Sequence, residues 1–319
     1  MKWINIKNIF KIGEHELPKG CIAFAQSPQA LVFDDFVRIY FCTRSLNETT
    51  KNYLSHVAYV DFDLELQILS RVSKEQVIPL GDLGTFDEHG IFPFNPIRVK
   101  DRILAYTCGW SRRDSVSVET STGLVESLDG GETFSRLGPG PVLTSSLNEP
   151  FLVGDSFVKY IDGIYHMWYM FGKRWIDATT SEPPARVYKI GYARSTDGSS
   201  WVKNEGKEVI QNVLGIDECQ ALPTIEYHNG LYHMFFCYRQ ATDFRKNPDR
   251  GYKLGYAYSN DLESWTRNDE IGNFKGSGDK WDQDMQAYPN LFKVKDKLYL
   301  LYNGNEFGKN GFGIAELKE

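Results

Sequence analysis

Five times along this chain a short apolar run rich in aromatic residues ends in polar ones: VRIYFCTR at 37–44, RILAYTCGW at 102–110, IYHMWYMFGK at 164–173, LYHMFFCYR at 231–239 and KLYLLYNGN at 297–305. Arg44 and Arg239 stand three periods of about 65 residues apart, and His166 and His233 differ by one such period. A repeat of that length in 319 residues means about five units. The runs are too short for helices, lack an i, i+3, i+4 pattern, and are bounded by Gly, Asp and Asn turns, so each reads as a strand of an all-β protein.

Each unit carries further strands. A Pro-bearing strand precedes the aromatic one: SPQALVF, FPFNPIRV, EPFLVGDSFVKY, ALPTIEY and AYPNLFKV. A third strand follows in forms such as KIGYARSTDG and KLGYAYSNDL, and a fourth begins near a Trp, as in WVKN and WTRN. Four strands in each of five units predict a single-domain, five-bladed β-propeller over residues 1–319. The blades fall at about 20–80, 81–144, 145–212, 213–275 and 276–319. The last unit stops at its third strand, GFGIAELKE, whereas KWINIKNIF at the N-terminus resembles a Trp-led outer strand. Residues 1–10 are therefore expected to complete the last blade, which removes an exposed edge.

Composition narrows the partners. A formal net charge of −6 argues against nucleic acid and anionic membranes, and no apolar run reaches the roughly 18 residues of a membrane span. The N-terminus shows no apolar core of a signal peptide. The five cysteines, Cys21, Cys42, Cys108, Cys219 and Cys237, are scattered without metal-binding spacing. Together these features predict a cytoplasmic protein without a metal or other cofactor.

In a propeller the first strand of each blade lines the axis, so residues at the start of these strands are expected to converge on one pocket. They are Gln26 and Gln29; Asp87, Glu88 and His89; Asn148 and Glu149; Asp217, Glu218 and Gln220; and Asp282, Asp284 and Gln286. A second ring comes from the ends of the second strands: Arg44; Trp110, Arg112 and Arg113; Lys173 and Arg174; Tyr238 and Arg239; and Asn303, Asn305 and Glu306. Acids before strands are commonly turn residues. Their recurrence at one phase of four units is the argument for a shared site. Clustered carboxylates suit glycoside hydrolysis, where one protonated acid assists the leaving oxygen and a second activates water or attacks the anomeric carbon; crowding raises the pKa of one of them.

The blade pattern, the phrases GYARSTDGSSW and GYAYSNDLESW, and the Glu218-Cys219 pair resemble the five-bladed β-propeller glycosidases, which include glycoside hydrolase families 32, 43, 62, 68, 117 and 130. In family 32 a Glu-Cys pair opens a blade and its Glu is the general acid, so the resemblance implies that role for Glu218. It also implies an Asp in the first blade, where this chain has Gln26 and Gln29 in AQSPQA, and an Arg-Asp-Pro motif in the second, where it has FPFNP. The catalytic set would then be rotated to Glu218, Glu149 and Asp284, with Asp87 or Glu88 as a further partner. Substrate contacts would come from Glu88, His89, Gln26, Gln220, Gln286, Arg44, Trp110, Arg174, Tyr238, Arg239 and Asn303.

The segment SLDGGETF fits the Asp-box of sialidase propellers, a structural turn that supports the fold without choosing a substrate. Arginines on a sugar pocket point to a ligand with a carboxylate or phosphate, unless each pairs with a ring acid. A glycan, sugar phosphate or nucleotide sugar is accordingly the expected ligand. The alternatives to hydrolysis are phosphorolysis, which family 130 performs, a non-catalytic sugar-binding propeller and a scaffold without a ligand. Trp110 and Trp175 are candidates for stacking on a sugar. Trp3, Trp201 and Trp265 read as blade packing, and His166 and His233 as core contacts. The insertions at 177–189 and 240–253 would wall one side of the mouth and could form a homo-oligomer contact.

Overall fold

A computed structural model describes residues 1–180 and 182–318; residue 181, inside the 177–189 insertion, and residue 319 lie outside the described residues. The N-terminal strand is β1 (Trp3–Phe10). The first blade contains β2 (Ala23–Val32), β3 (Phe36–Leu46), β4 (Tyr53–Asp63) and β5 (Leu69–Val72). The second contains β6 (Ile91–Val99), β7 (Arg102–Arg112), β8 (Val118–Ser127) and β9 (Ser135–Arg136). The third contains β10 (Val153–Ile161), β11 (Ile164–Ile176), β12 (Ala185–Ser195) and β13 (Val202–Lys203). The fourth contains β14 (Glu218–His228), β15 (Leu231–Gln240), β16 (Lys253–Ser259) and β17 (Thr266–Arg267). The fifth contains β18 (Ala287–Val294), β19 (Lys297–Asn303) and β20 (Phe312–Leu317), and β1 pairs antiparallel with β20 as its fourth strand. This is the five-bladed propeller that the repeat predicts, closed by the expected N-terminal strand.

Strand periodicity explains why the aromatic runs recur. Successive side chains point to opposite faces of a blade, so both faces of each second strand are buried. Phe41 enters the seam with the fifth blade beside Phe10 and Phe312, whereas its neighbour Tyr40 enters the seam with the second blade beside Phe94 and Phe134. Phe235 and Phe236 divide in the same way between the seams on either side of the fourth blade. Trp3, Trp201 and Trp265 pack edge-on against Phe235, Tyr106 and Trp168. His166 and His233 each meet a third-strand tyrosine, Tyr192 and Tyr256, through Nδ1. In the Asp-box the Asp129 carboxylate accepts from the backbone N–H groups of Glu132 and Thr133, and Ser195-Asp197 and Ser259-Asp261 build the same peripheral turn. Burial raises the Cys42 and Cys237 thiols to about 12, so they remain neutral core groups, and all five cysteines are unpaired. Among the described residues no helix is long and apolar enough to cross a membrane.

The innermost strands share one irregularity that positions the site. Each has a bulge where two residues face one on the neighbouring strand: Ser27-Pro28, Phe92-Pro93, Asp155-Ser156, Leu222-Pro223 and Tyr288-Pro289. A bulge breaks the ladder and re-aims a side chain. Ser27, Asp155, Leu222 and Tyr288 all have φ near +50°, in the left-handed region. Proline is tolerated as the second bulged residue because no ladder donor is needed there.

Candidate functional site: an arginine-rich axial pocket

The bulges open into an axial cavity of about 510 Å³. Phe92, Asp155, Leu222 and Tyr288 line it from the bulge positions, and Gln26 lines it from just before the bulge of the first blade. Four arginines surround the space: Arg44 from β3, Arg186 from β12, Arg239 from β15 and Arg245 from the insertion after β15. None of the four has a carboxylate within ion-pair distance among the described residues, although the chain forms many such pairs elsewhere.

Each arginine whose contacts are defined is held by neutral groups. Arg44 donates through Nε and Nη2 to Gln26 Oε1 at 3.0 and 2.8 Å and through Nη1 to Ser55; burial lowers its pKa. Arg239 is 2% exposed. Its guanidinium carbon lies 3.6 Å from the centroid of Phe244 and 5.2 Å from those of Tyr188 and Tyr252. Its Nη1 reaches the Gln240 and Ala241 carbonyls at 2.7 and 3.2 Å, while its buried Nε has no partner. Arg245 stacks on the same Phe244 at 4.4 Å. An aromatic cage of this kind holds a guanidinium by cation–π attraction and leaves its donors for an anion.

Asp155 is the single carboxylate among the described lining residues. Desolvation pushes its carboxyl up to about 7, against the opposing influences of the Arg186 charge and the Cys108 thiol hydrogen bond. Burial therefore favours the neutral form of the group, which can give or take a proton.

The expectation that the strand-leading acids converge on the axis fails, and for a regular reason. Most are held within their own blade, and Asp217 is paired with Arg174 of the preceding blade. Asp87 bonds Arg136 of β9 at 2.6 Å, Glu149 bonds Lys203 of β13 at 2.7 Å, and Glu218 bonds Arg267 of β17 at 2.5 Å. Thus the turn into an inner strand is fastened to the outermost strand of the same blade. Glu149 also accepts from the Tyr169 hydroxyl and the Gly206 N–H, each at 2.9 Å. Asp282 accepts from Tyr302 at 2.6 Å. Burial raises the Glu218 pKa, but hydrogen bonds from Gln220 and Arg267 outweigh it, and the carboxyl lies below its usual range. Asp284 is exposed and bonded to Asn305. Glu218, Glu149 and Asp284 are therefore not brought together, and none lines the cavity.

Of the expected contact residues, Gln26, Arg44, Trp110 and Arg239 line the pocket. The others lie outside it. The Glu88 carboxylate lies 3.3 Å from His89 Nδ1, and His89 stacks on Trp110. Gln220 donates to Glu218 at 2.8 Å and Gln286 to the Asp282 carbonyl. Arg174 pairs with Asp217. Tyr238 packs beneath Arg267, with the guanidinium carbon 4.4 Å from its ring centroid. Asn303 ties the last blade to the first through the Ala25 carbonyl at 2.7 Å. The residues that sequence reasoning missed are chiefly Asp155, Arg186, Arg245, Tyr188, Tyr252 and Tyr288. A signal for Asp155 is present: four inner strands carry X-Pro at the bulge, and Gly154-Asp155-Ser156 is the exception. Taking Pro150 as that blade's proline shifts its phase and conceals the acid.

Among the described residues no cluster of His, Cys, Asp or Glu is placed to hold a metal ion. No family model matches the chain. Two uncharacterized proteins of Mycobacterium tuberculosis, Rv1502 of strain H37Rv and MT1551 of strain CDC 1551, are each 29% identical over 314 residues, covering 97% of this chain and 98% of the relative. Among solved structures, a complex of BT0996 with RGII superposes with a TM-score of 0.71 at 16% identity, covering 98% of this chain and 93% of the other. A thermostable family-43 glycoside hydrolase gives 0.64 at 14% identity, with 97% and 93% covered. A structure from work on the GH130 family of mannoside phosphorylases and hydrolases gives 0.66 at 12% identity, with 99% and 94% covered. The chain shares its five-bladed propeller fold with these solved structures, among them a glycoside hydrolase.

Proposed function

We propose that the axial pocket binds a sugar carrying a phosphate or carboxylate and that Asp155 moves the proton in a glycosyl exchange at that sugar. The observation that carries this reading is four arginines without acid partners among the described residues around one buried carboxyl whose pKa burial raises. Hydrolysis by paired carboxylates needs two such groups about 5 to 9.5 Å apart, and the other four bulge positions hold Ser27, Phe92, Leu222 and Tyr288. A single acid suffices when the nucleophile is itself an anion. In phosphorolysis the C1–O bond breaks, Asp155 protonates the departing oxygen, and a phosphate oxygen held by the arginines bonds to C1; in reverse, Asp155 accepts the proton of the incoming hydroxyl. Structural neighbours include glycoside hydrolases, and one comes from work on a phosphorylase family, which supports glycosidic chemistry of this general kind. Glu218 is not the general acid in this reading, because its carboxylate is fastened to Arg267.

The test is direct. Sugar 1-phosphates and free uronic acids should raise the melting temperature, while the neutral parent sugars at equal concentration should not. With a sugar 1-phosphate and a panel of acceptor sugars, the wild type should release phosphate and Asp155→Asn should bind without release. Equal binding of neutral and anionic sugars would overturn the reading. Selective binding with no turnover across the panel would reduce the protein to a sugar-binding propeller.

A further inference from the structure

A second cavity of about 440 Å³ lies against the first, beneath the insertions after β11 and β15. The two share one wall formed by Arg186, Arg239, Phe244 and Arg245. The far side of the outer cavity differs in character, with Trp175, Pro183 and Pro184 offering flat apolar faces beside Ser117, Thr242 and Asp243. Lys246 also lines it and pairs with Glu182 at 3.7 Å.

We infer that the two cavities form one bipartite site for a nucleotide-linked sugar, with the sugar in the axial pocket, the diphosphate on the shared arginine wall and the nucleoside in the outer cavity. Three guanidiniums at a waist match the charge of a diphosphate, since planar guanidinium groups grip phosphate oxygens in pairs. Arg239 is 2% exposed and lines both cavities, and its buried Nε has no partner among the described residues. The indole of Trp175 and the rings of Pro183 and Pro184 offer apolar surface for a planar base, and Asp243 supplies an acceptor for ribose hydroxyls. An acidic oligosaccharide would place one carboxylate per residue and would leave most of the waist charge unmatched.

This inference rests on the anionic-sugar reading of the axial pocket, and its test separates the two. Isothermal titration of the whole protein would compare UDP, ADP and GDP with inorganic pyrophosphate, glucose 1-phosphate and digalacturonic acid. At least one nucleoside diphosphate should bind about tenfold more tightly than pyrophosphate, the usual worth of one base on one aromatic ring. Trp175→Ala should erase that tenfold difference and leave pyrophosphate affinity unchanged. Ser117→Trp, at an exposed position on the rim of the outer cavity, should do the same without touching the core. Glucose 1-phosphate binding should survive both substitutions. Nucleotides binding no better than pyrophosphate, with glucose 1-phosphate still bound, would overturn the bipartite site alone. Tighter binding of digalacturonic acid than of every nucleotide would overturn it in favour of a glycan. No binding of any anionic sugar would remove the axial reading with it.

Discussion

Glu218 and Arg267 form an ion pair at 2.5 Å in which the side chains are 0% and 2% exposed. The carboxylate also accepts from the Val213 and Leu214 N–H groups, each at 2.7 Å. The same clasp recurs as Asp87 with Arg136 and Glu149 with Lys203. The periodic acids that suggest a catalytic ring are the fastenings of the blades.

Replacing Glu218 with Ala should destabilise the fold by on the order of 3 kcal/mol, because the remaining Arg267 charge stays buried with only the partly exposed Asp269 opposite it. Urea denaturation checks this. An unchanged midpoint combined with lost turnover would instead return Glu218 to the chemistry.

Asp155 should govern the pH dependence. Its folded carboxyl is raised to about 7, above the ordinary unfolded value, so the neutral form is the one the fold prefers. Its contribution to stability is full below the ordinary carboxylate range and is lost as pH rises through about 7. Asp155→Asn should flatten that part of the stability–pH curve. Turnover that needs protonated Asp155 should fall on the alkaline side of the same point, and a pH-rate profile with no change near neutrality would sink the assignment.

Arg239→Met should separate stability from binding. The charge is buried against Phe244, Tyr188 and Tyr252 without a carboxylate, and an apolar side chain of similar length removes an uncompensated charge. The melting temperature should hold or rise, whereas affinity for a sugar 1-phosphate should fall by about tenfold or more, as expected for losing a charge-assisted contact.

Inorganic phosphate should stabilise the protein beyond its ionic strength. At about one hundred times its dissociation constant a ligand of the native state adds about 2.7 kcal/mol. A thermal scan in phosphate against chloride of matched ionic strength reads this directly, and equal curves would argue that the four arginines do not bind a free anion.

Deleting residues 1–10 should expose β20 as an open edge and remove Phe10 from its seam with Phe41 and Phe312. Loss of one large core aromatic alone costs about 3–5 kcal/mol, enough to lower the melting temperature by about 10 °C, and the free edge should promote association. Calorimetry and light scattering measure the two effects.

The sequence by itself determined the blade count, the four-strand unit and the closure by residues 1–10. These follow from local signals: short runs buried on both faces such as Phe36–Leu46, and turns such as Ser127–Thr133 that bond to their own backbone. It also placed Gln26, Arg44, Trp110 and Arg239 at the mouth, because they sit at fixed phases of the repeat. Only the tertiary structure decided which acids face the axis. Whether a carboxylate at a strand start turns toward the channel or toward Arg136, Lys203 or Arg267 depends on a base some fifty positions later in the chain, and spacing alone does not reveal that competition. The bulge that aims Asp155 inward is likewise a departure from strand geometry, and its X-Pro mark is missing in the one blade where the acid stands.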